Sequence, residues 1–350
     1  MGAFEKCDKF LQVVKKGFPN IRRLWYNKIS YCKGGIDMDI IREEYKFAST
    51  TGTGDIFARS FAPADPNEVK AVLQVVHGMA EHGERYRTMA YYLAYHGYAV
   101  FIHDHAGHGR SAANEEELGY FGEKDGWKCL VRDTRILTVK AADKYPNRPI
   151  FLLGHSMGSF VARSYAAQYG KDLQGAVFCG TSGENPGAAA GIALAGLLEK
   201  FKGEHYRSAF IDHIAFGTYN KKYDNPRTAF DWLSRDTQEV DQYIADPLCG
   251  FLFTTAGYKD MFTLLKSVSE KSWYKSVPKK LPMLLISGSM DPVGAYGKGV
   301  RQVNSDLKKT GHEDVTLKLY DGARHELFNE TNAKDVLKDL LAWLEEKRKK

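Results

Sequence analysis

An α/β fold with a mostly parallel, eight-stranded sheet flanked by helices is what this 350-residue sequence predicts. Three observations lead there. From residue 46 onward, short apolar runs alternate with helix-patterned stretches, the mark of successive βαβ units. Over 183–275 the alternation stops, and small residues followed by aromatics without strand periodicity point to a helical insertion. From 276 to the end the alternation resumes.

Taken in order, residues 1–45 form an N-terminal extension. Phe10, Leu11, Val14, Phe18, Ile21 and Leu24 recur there at helical spacing, among Lys15, Lys16, Arg22 and Arg23. Two readings stand for this basic helix. Either it packs on the domain behind a solvated face, or residues 1–30 rest on an anionic membrane surface. The first part of the core, 46–182, carries predicted strands at 45–49, 55–61, 71–77, 99–104, 150–154 and 175–179. Helices are predicted at 85–96, 127–144 and 159–169. The insertion, a helical cap, fills 183–275. The second part of the core, 276–350, adds strands at 283–287 and 316–320.

Bulk properties remove several function classes. The 49 Lys and Arg stand against 43 Asp and Glu, an excess too small to suggest nucleic acid as a partner. Five cysteines, none spaced as C-x-x-C, suggest neither a disulfide framework nor a zinc site. Glu5, Lys6, Asp8 and Lys9 interrupt any signal peptide, and Lys6 stands where myristoylation prefers Ser or Thr. No run reaches the roughly 18 apolar residues of a membrane span. The expectation is a soluble, cytoplasmic protein, peripheral to a membrane if the second reading of its N-terminal helix holds, with no obligate protein partner evident.

The chemistry-bearing stretch is Gly154-His155-Ser156-Met157-Gly158, a G-x-S-x-G between a predicted strand and a predicted helix. A serine on such a turn is pushed out above the sheet. The turn leaves little room beside the backbone, which requires glycine at 154 and 158. The Met157 N–H points to the same spot, and the helix N-terminus favours negative charge there.

A serine hydroxyl needs a base to become a nucleophile, and the base needs an orienting acid. On a strand–turn–helix scaffold these follow in the order Ser, acid, His, each just past a late strand. Asp291 follows the strand ending "MLLISGS", and His325 follows "VTLKLY". Two competitors are weaker. Asp321 is only four residues from His325 and caps the loop, and His312 precedes its strand. A second oxyanion donor is expected from the loop His77-Gly78-Met79-Ala80-Glu81-His82, through the Met79 N–H. Gly78 lets that loop bend, His77 anchors it, and both His77 and His82 are read as structural.

His103, His105 and His108 lie in "HDHAGHGRS" and look at first like a metal cluster. A metal reading needs an acidic ligand where Gly107 stands, and Asp104 precedes the middle histidine. A glycine-rich turn accounts for the segment better, so no metal is expected.

Together "HGMAEHGERY" at 77–86, "HDHAGHGRS" at 103–111, "GHSMG" at 154–158 and the Asp291 and His325 loops resemble the α/β-hydrolase fold. More narrowly they resemble the monoglyceride lipase and lysophospholipase group, of the serine aminopeptidase S33-like kind. His77, Gly78, Glu81, His82, Arg85 and Tyr86 match the first motif, and Asp104, Gly107, Gly109 and Ser111 the second. The resemblance spans about residues 45 to 345. It implies a serine carboxylic-ester hydrolase acting on monoacylglycerol or lysophospholipid, with Ser156 as nucleophile, His325 as base and Asp291 as orienting acid. No cofactor is implied. The cap would supply an apolar acyl tunnel, with 191–198, Phe251, Phe253 and Phe262 as candidate walls or as ordinary core. The same fold and triad also serve esterases, thioesterases and proline iminopeptidases. A peptidase of that kind needs acidic cap residues such as Glu199 or Glu204 for the substrate amine. A relative that binds a ligand without catalysis is the reading from a different class.

Overall fold

The computed structural model describes residues 27–33 and 36–350, with side chains from residue 39 onward. Nine strands form one sheet among the described residues: β1 Asn27–Lys33, β2 Ile36–Ala48, β3 Asp55–Pro63, β4 Ala71–Val76, β5 Tyr98–His103, β6 Ile150–His155, β7 Gly175–Cys179, β8 Met283–Gly288 and β9 Val315–Tyr320. Their spatial order is β1-β2-β3-β5-β4-β6-β7-β8-β9. The pairs β1/β2, β2/β3 and β3/β5 are antiparallel, and those from β5 through β9 are parallel.

All eight sequence-predicted strands are present, and the ninth is an addition. The helical reading of 1–45 does not hold for 27–33 or 36–45, which are strand. Two sequence signals were available. Gly34-Gly35 separates two runs, as in a hairpin. Ile36, Met38 and Ile40 also alternate with acids, a period of two rather than 3.6. The helical spacing over 10–24 lies outside the described residues, as does most of the 1–30 stretch considered for membrane contact.

Central strands β4 to β8 are buried along their whole length, because helices cover both faces. Successive residues serve opposite cores. Val72 and Val76 join the cluster of helices α2 Gly126–Lys144 and α3 Met157–Tyr169. Leu73 and Val75 join that of α1 Arg87–Tyr95 and, at the other end of the chain, the helix Ala333–Lys347. Edge strand β9 instead leaves Thr316 and Lys318 exposed between buried or half-buried positions.

Between β7 and β8 the chain leaves the sheet through helices α4 Gly187–Lys202, α5 Ala209–Phe216, α6 Thr237–Ala245, α7 Thr255–Ser269 and α8 Lys271–Ser276. Helix α4 is rich in Ala and Gly because α7 lies close against it. A Cβ on Gly191 would stand 2.7 Å from the Phe262 ring. Helices α9 Lys298–Lys309 and α10 Ala333–Lys347 complete the fold.

The decisive topological feature is the order β5-β4-β6. Strand β4 lies between a strand that follows it immediately and one that follows much later. Chain direction across the sheet therefore reverses at β4, and the carboxyl ends of β4 and β6 open a crevice side by side, with Val76 opposite Gly154.

Candidate active site

Strand β6 runs straight into Ser156, and α3 begins at the next residue. Ser156 has φ 52° and ψ −124°, a conformation that L-residues avoid. Holding it costs on the order of 1–3 kcal/mol, so the surroundings must impose it. They do so from both sides. The Ser156 N–H donates to Cys179 O at 2.9 Å, and Ser156 O accepts the Ser159 N–H at 2.8 Å. A Cβ on Gly154 would lie 2.2 Å from Gly158 O, and one on Gly158 would lie 2.2 Å from Val76 O. Both glycines are present because neighbouring backbone occupies the space a side chain would need.

The late loops bring His325 and Asp291 together. His325 Nδ1–H donates to Asp291 Oδ1 at 2.9 Å. Asp291 is fully buried, and it also accepts from the Val293 N–H at 2.9 Å and the Ser287 hydroxyl at 3.1 Å. Burial alone would raise the Asp291 carboxyl, but the His325 imidazole and these donors outweigh it and hold it below the ordinary carboxylate range. Burial likewise disfavours a charged His325, yet the Asp291 carboxylate beside it raises its pKa above the ordinary imidazole value. A base of this kind accepts a proton readily and keeps its Nδ1–H pointed at the acid. His325 is flanked by the rings of His155 and Trp232, at centroid distances of 4.6 and 5.1 Å. Among the described residues the Ser156 hydroxyl has no hydrogen-bond partner, so its contact to His325 is not made in this resting arrangement.

Two unpaired backbone donors belong to residues that line the same cavity as Ser156. The Met157 N–H, at the first position of α3, and the Met79 N–H have no hydrogen-bond partner among the described residues. Met79, Met157, Ser156 and His325 all line one cavity of about 1120 Å³.

The loop carrying Met79 is pinned on every side. His77 Nδ1–H donates to Gly78 O at 2.8 Å, and His77 Nε2 accepts the His105 N–H at 2.9 Å. Gly78 N–H donates to Glu81 Oε1. A Cβ on Gly78 would stand 2.8 Å from that carboxylate and 3.0 Å from the Ser156 Cβ, so close approach rather than a bend requires glycine there. Ala80, strained at φ 49°, donates to His108 Nε2 at 3.3 Å.

Sequence reasoning gave no role to Glu81, Arg85, Tyr86 or Glu326. Arg85 bridges the Glu81 and Glu326 carboxylates, and the Tyr86 hydroxyl donates to Glu81 at 2.8 Å. Burial would raise Glu326, but Arg85 outweighs it and draws the carboxyl down to about 2. The only available signal was the run Glu81-His82-x-x-Arg85-Tyr86, which shows the residue types but not that the charges are buried together.

The competitors lie elsewhere. His312 bonds to Leu307 O and Val277 O, away from the cavity, and Asp321 accepts from the Ser289 hydroxyl. His103, His105 and His108 are buried around His77, and burial drives the first and last down to about 4. Asp104 binds Arg59 at 3.1 Å and accepts from the Gly83 and Arg110 N–H groups, a structural role. Phe251 and Phe262 line the cavity with Gly191 and Leu194, whereas Phe253 is fully buried against Phe121 and His108.

The chain is similar in sequence and fold to known hydrolases. The family model described as serine aminopeptidase, S33, matches residues 67–332. Monoacylglycerol lipase of Mycolicibacterium smegmatis is 29% identical over 306 residues, covering 87% of this chain and 97% of that protein. Monoglyceride lipase of Rattus norvegicus is 31% identical over 298 residues, covering 83% and 86%. A thermostable carboxyl esterase from Bacillus coagulans, solved in complex with glycerol, superposes with a TM-score of 0.82 at 31% identity, covering 88% of this chain and 99% of that one. The chain is a serine hydrolase of the α/β-hydrolase fold and belongs to the serine aminopeptidase S33 family.

Proposed function

We propose that this protein hydrolyses carboxylic esters of single-chain lipids, monoacylglycerol or lysophospholipid, through an acyl-enzyme on Ser156. In this reading Ser156 Oγ attacks the ester carbonyl as His325 Nε2 takes its proton. Asp291 keeps the imidazole in the productive tautomer and stabilises its positive charge. The free Met79 and Met157 N–H groups stabilise the oxyanion. His325 then protonates the departing alcohol, and a water, deprotonated by the same imidazole, splits the acyl-enzyme. The chemistry calls on no metal or organic cofactor.

The observation carrying the lipid assignment is the cavity. Ser156 and His325 line it, and the insertion supplies apolar walls through Leu194, Phe216, Phe251, Phe262 and Leu265. Residues 183–275 act in this reading as a cap that shields an acyl chain from water. Helices α4 and α5 expose Leu197, Phe201 and Phe210 outside the cavity and Ile214 at its lining, an apolar rim suited to substrate held in a lipid aggregate. No helix among the described residues is long and apolar enough to cross a membrane. Of the acidic cap residues, Glu184 and Asp212 line the cavity, and Asp212 accepts the Tyr258 hydroxyl at 2.9 Å. Glu199 pairs with Lys259 at 3.0 Å, and neither it nor Glu204 lines the cavity.

The test is fatty-acid release from a long-chain monoacylglycerol, beside a lysophospholipid and a short p-nitrophenyl ester, with Ser156→Ala in parallel. Release from the long-chain lipids that vanishes in the variant supports the assignment. Turnover of the short ester alone moves the substrate away from lipids, and equal rates in both proteins remove Ser156 as nucleophile.

A further inference from the structure

His82, Asp246 and Cys249 bring an imidazole nitrogen, a carboxylate oxygen and a thiol sulfur within 4.8 Å of one another. The proposed ester chemistry uses none of them. His82 closes the loop after β4 that carries Met79, while Asp246 and Cys249 follow α6 in the insertion. A turn makes the second half of the set. Asp246 Oδ1 accepts the Leu248 N–H at 2.9 Å and Asp246 O accepts the Cys249 N–H at 3.0 Å, which folds the cysteine back beside the carboxylate. His82 Nε2–H then reaches Asp246 Oδ2 across the junction at 2.9 Å. The His82 side chain is 9% exposed and that of Asp246 33%, so solvent reaches the cluster mainly at the carboxylate, its open side.

We propose that His82, Asp246 and Cys249 bind a borderline or soft divalent cation, zinc or cadmium, at the junction of the Met79 loop and the insertion, and that the bound ion slows ester hydrolysis. One nitrogen, one oxygen and one sulfur match the donor preference of such ions, whereas calcium and magnesium call for more oxygens than this site offers. In a tetrahedral zinc site, neighbouring ligand atoms stand roughly 3.3–3.6 Å apart. On binding, the Nε2 proton between His82 and Asp246 is given up and a proton is taken at Nδ1. The Cys249 thiol releases its proton to solvent. The ion gains the nitrogen, the carboxylate and the thiolate, whose two negative charges offset its own, and water fills the fourth position from the open side.

The link to hydrolysis comes from a second tie at the same junction. Ala80 O accepts both the Gly250 N–H at 2.9 Å and the Tyr243 hydroxyl at 3.0 Å. Ligand spacing around the ion is wider than the His82–Asp246 hydrogen bond, so binding shifts the loop against these two anchors. The Met79 N–H, one residue from Ala80, moves with it.

The test uses the full-length protein and Cd²⁺ alone as the probe, read by the ultraviolet thiolate-to-cadmium absorption band. The binding measurement involves no ester and stands apart from the proposed substrate. The expected result is a band saturating at one equivalent, absent in Cys249→Ala, with affinity at least about tenfold weaker in Asp246→Asn. Near-ultraviolet circular dichroism checks that each variant is folded, and if Cys249→Ala is not, the half-buried Asp246→Asn carries the test. No band in the wild-type protein, the same band in folded Cys249→Ala, or unchanged affinity in Asp246→Asn overturns the site. Zn²⁺ is further expected to slow hydrolysis of the short ester, reversibly with a chelator, in the wild type and not in Asp246→Asn. A wild-type rate unchanged at saturating metal overturns the coupling.

Discussion

Arg85 donates to Glu326 Oε2 at 2.6 Å, joining residues 241 positions apart in the chain. Glu326 is the neighbour of His325, and the same guanidinium holds Glu81 Oε2 at 3.0 Å. Glu81 in turn receives the Gly78 N–H beside Met79. One largely buried cation therefore fastens the loop carrying Met79 to the loop carrying His325, the proposed oxyanion donor and base. Arg85→Met would leave two carboxylates buried without their partner. The expected loss of stability is about 3–5 kcal/mol, read by denaturant unfolding. Arg85→Lys keeps the charge but not the planar fork. It is expected to fold and to lower kcat on the short ester more than it raises KM.

Ser156 combines a strained backbone with its proposed role as nucleophile. Ser156→Ala removes the hydroxyl and keeps the Cβ at positive φ, so hydrolysis is expected to fall by a factor on the order of 10⁶ with little change in thermal stability. Ser156→Gly is expected to be equally inactive and to melt higher than Ser156→Ala, because the conformation no longer opposes a side chain. Calorimetry of the two variants checks this.

The His325–Asp291 pair sets a pH dependence. Catalysis in the proposed mechanism needs neutral His325, whose pKa lies above 6.5. The acid limb of kcat/KM on the short ester is therefore expected to have its midpoint above that value. In Asp291→Asn the raising charge is gone and burial remains, so the midpoint moves to lower pH while turnover drops roughly 10⁴-fold. The effect on stability has the matching sign. The raised His325 contributes fully below about 6.5, and its contribution is lost as pH rises through its folded pKa. The lowered Asp291 contributes above about 3.9, and its contribution is lost as pH falls through its folded pKa.

Gly154→Ala and Gly158→Ala would each place a Cβ 2.2 Å from backbone oxygen of a buried element. Neither side can move without breaking the strand–turn–helix junction. Both variants are expected to be insoluble or to unfold well below the wild type in a thermal melt, whereas Ser156→Ala at the same turn is not.

Chain-length selectivity should follow the cavity wall. Leu194→Trp adds bulk to the wall that α4 contributes to the cavity. It is expected to raise KM for long-chain monoacylglycerol and to leave the short p-nitrophenyl ester nearly unaffected, a divergence that steady-state kinetics on the two substrates would show.

Much of this protein could be read from local pattern. Short apolar runs alternating with helix-patterned stretches placed eight of the nine strands, because a strand with a core on each face is apolar along its length. Ser156, Asp291 and His325 could be named because each is tied to the end of a recognisable strand, and strand ends in a parallel sheet converge on one side. The spacing of 27–45 was also legible, as the Gly34-Gly35 pair and the alternation after it mark a hairpin that helical spacing earlier in the extension obscured. What tertiary structure alone decided depends on groups distant in sequence meeting in a dry environment. Glu81, Arg85 and Glu326 look like three surface charges in a string of letters. They become a single buried network only when β4 and β9 deliver their loops to the same crevice. His82, Asp246 and Cys249 are spread over two segments and match no metal-binding spacing, yet the fold of the insertion onto the Met79 loop brings their donor atoms together. Local periodicity reports which face of an element is apolar, and it carries no information about which polar groups from elsewhere will be buried against one another.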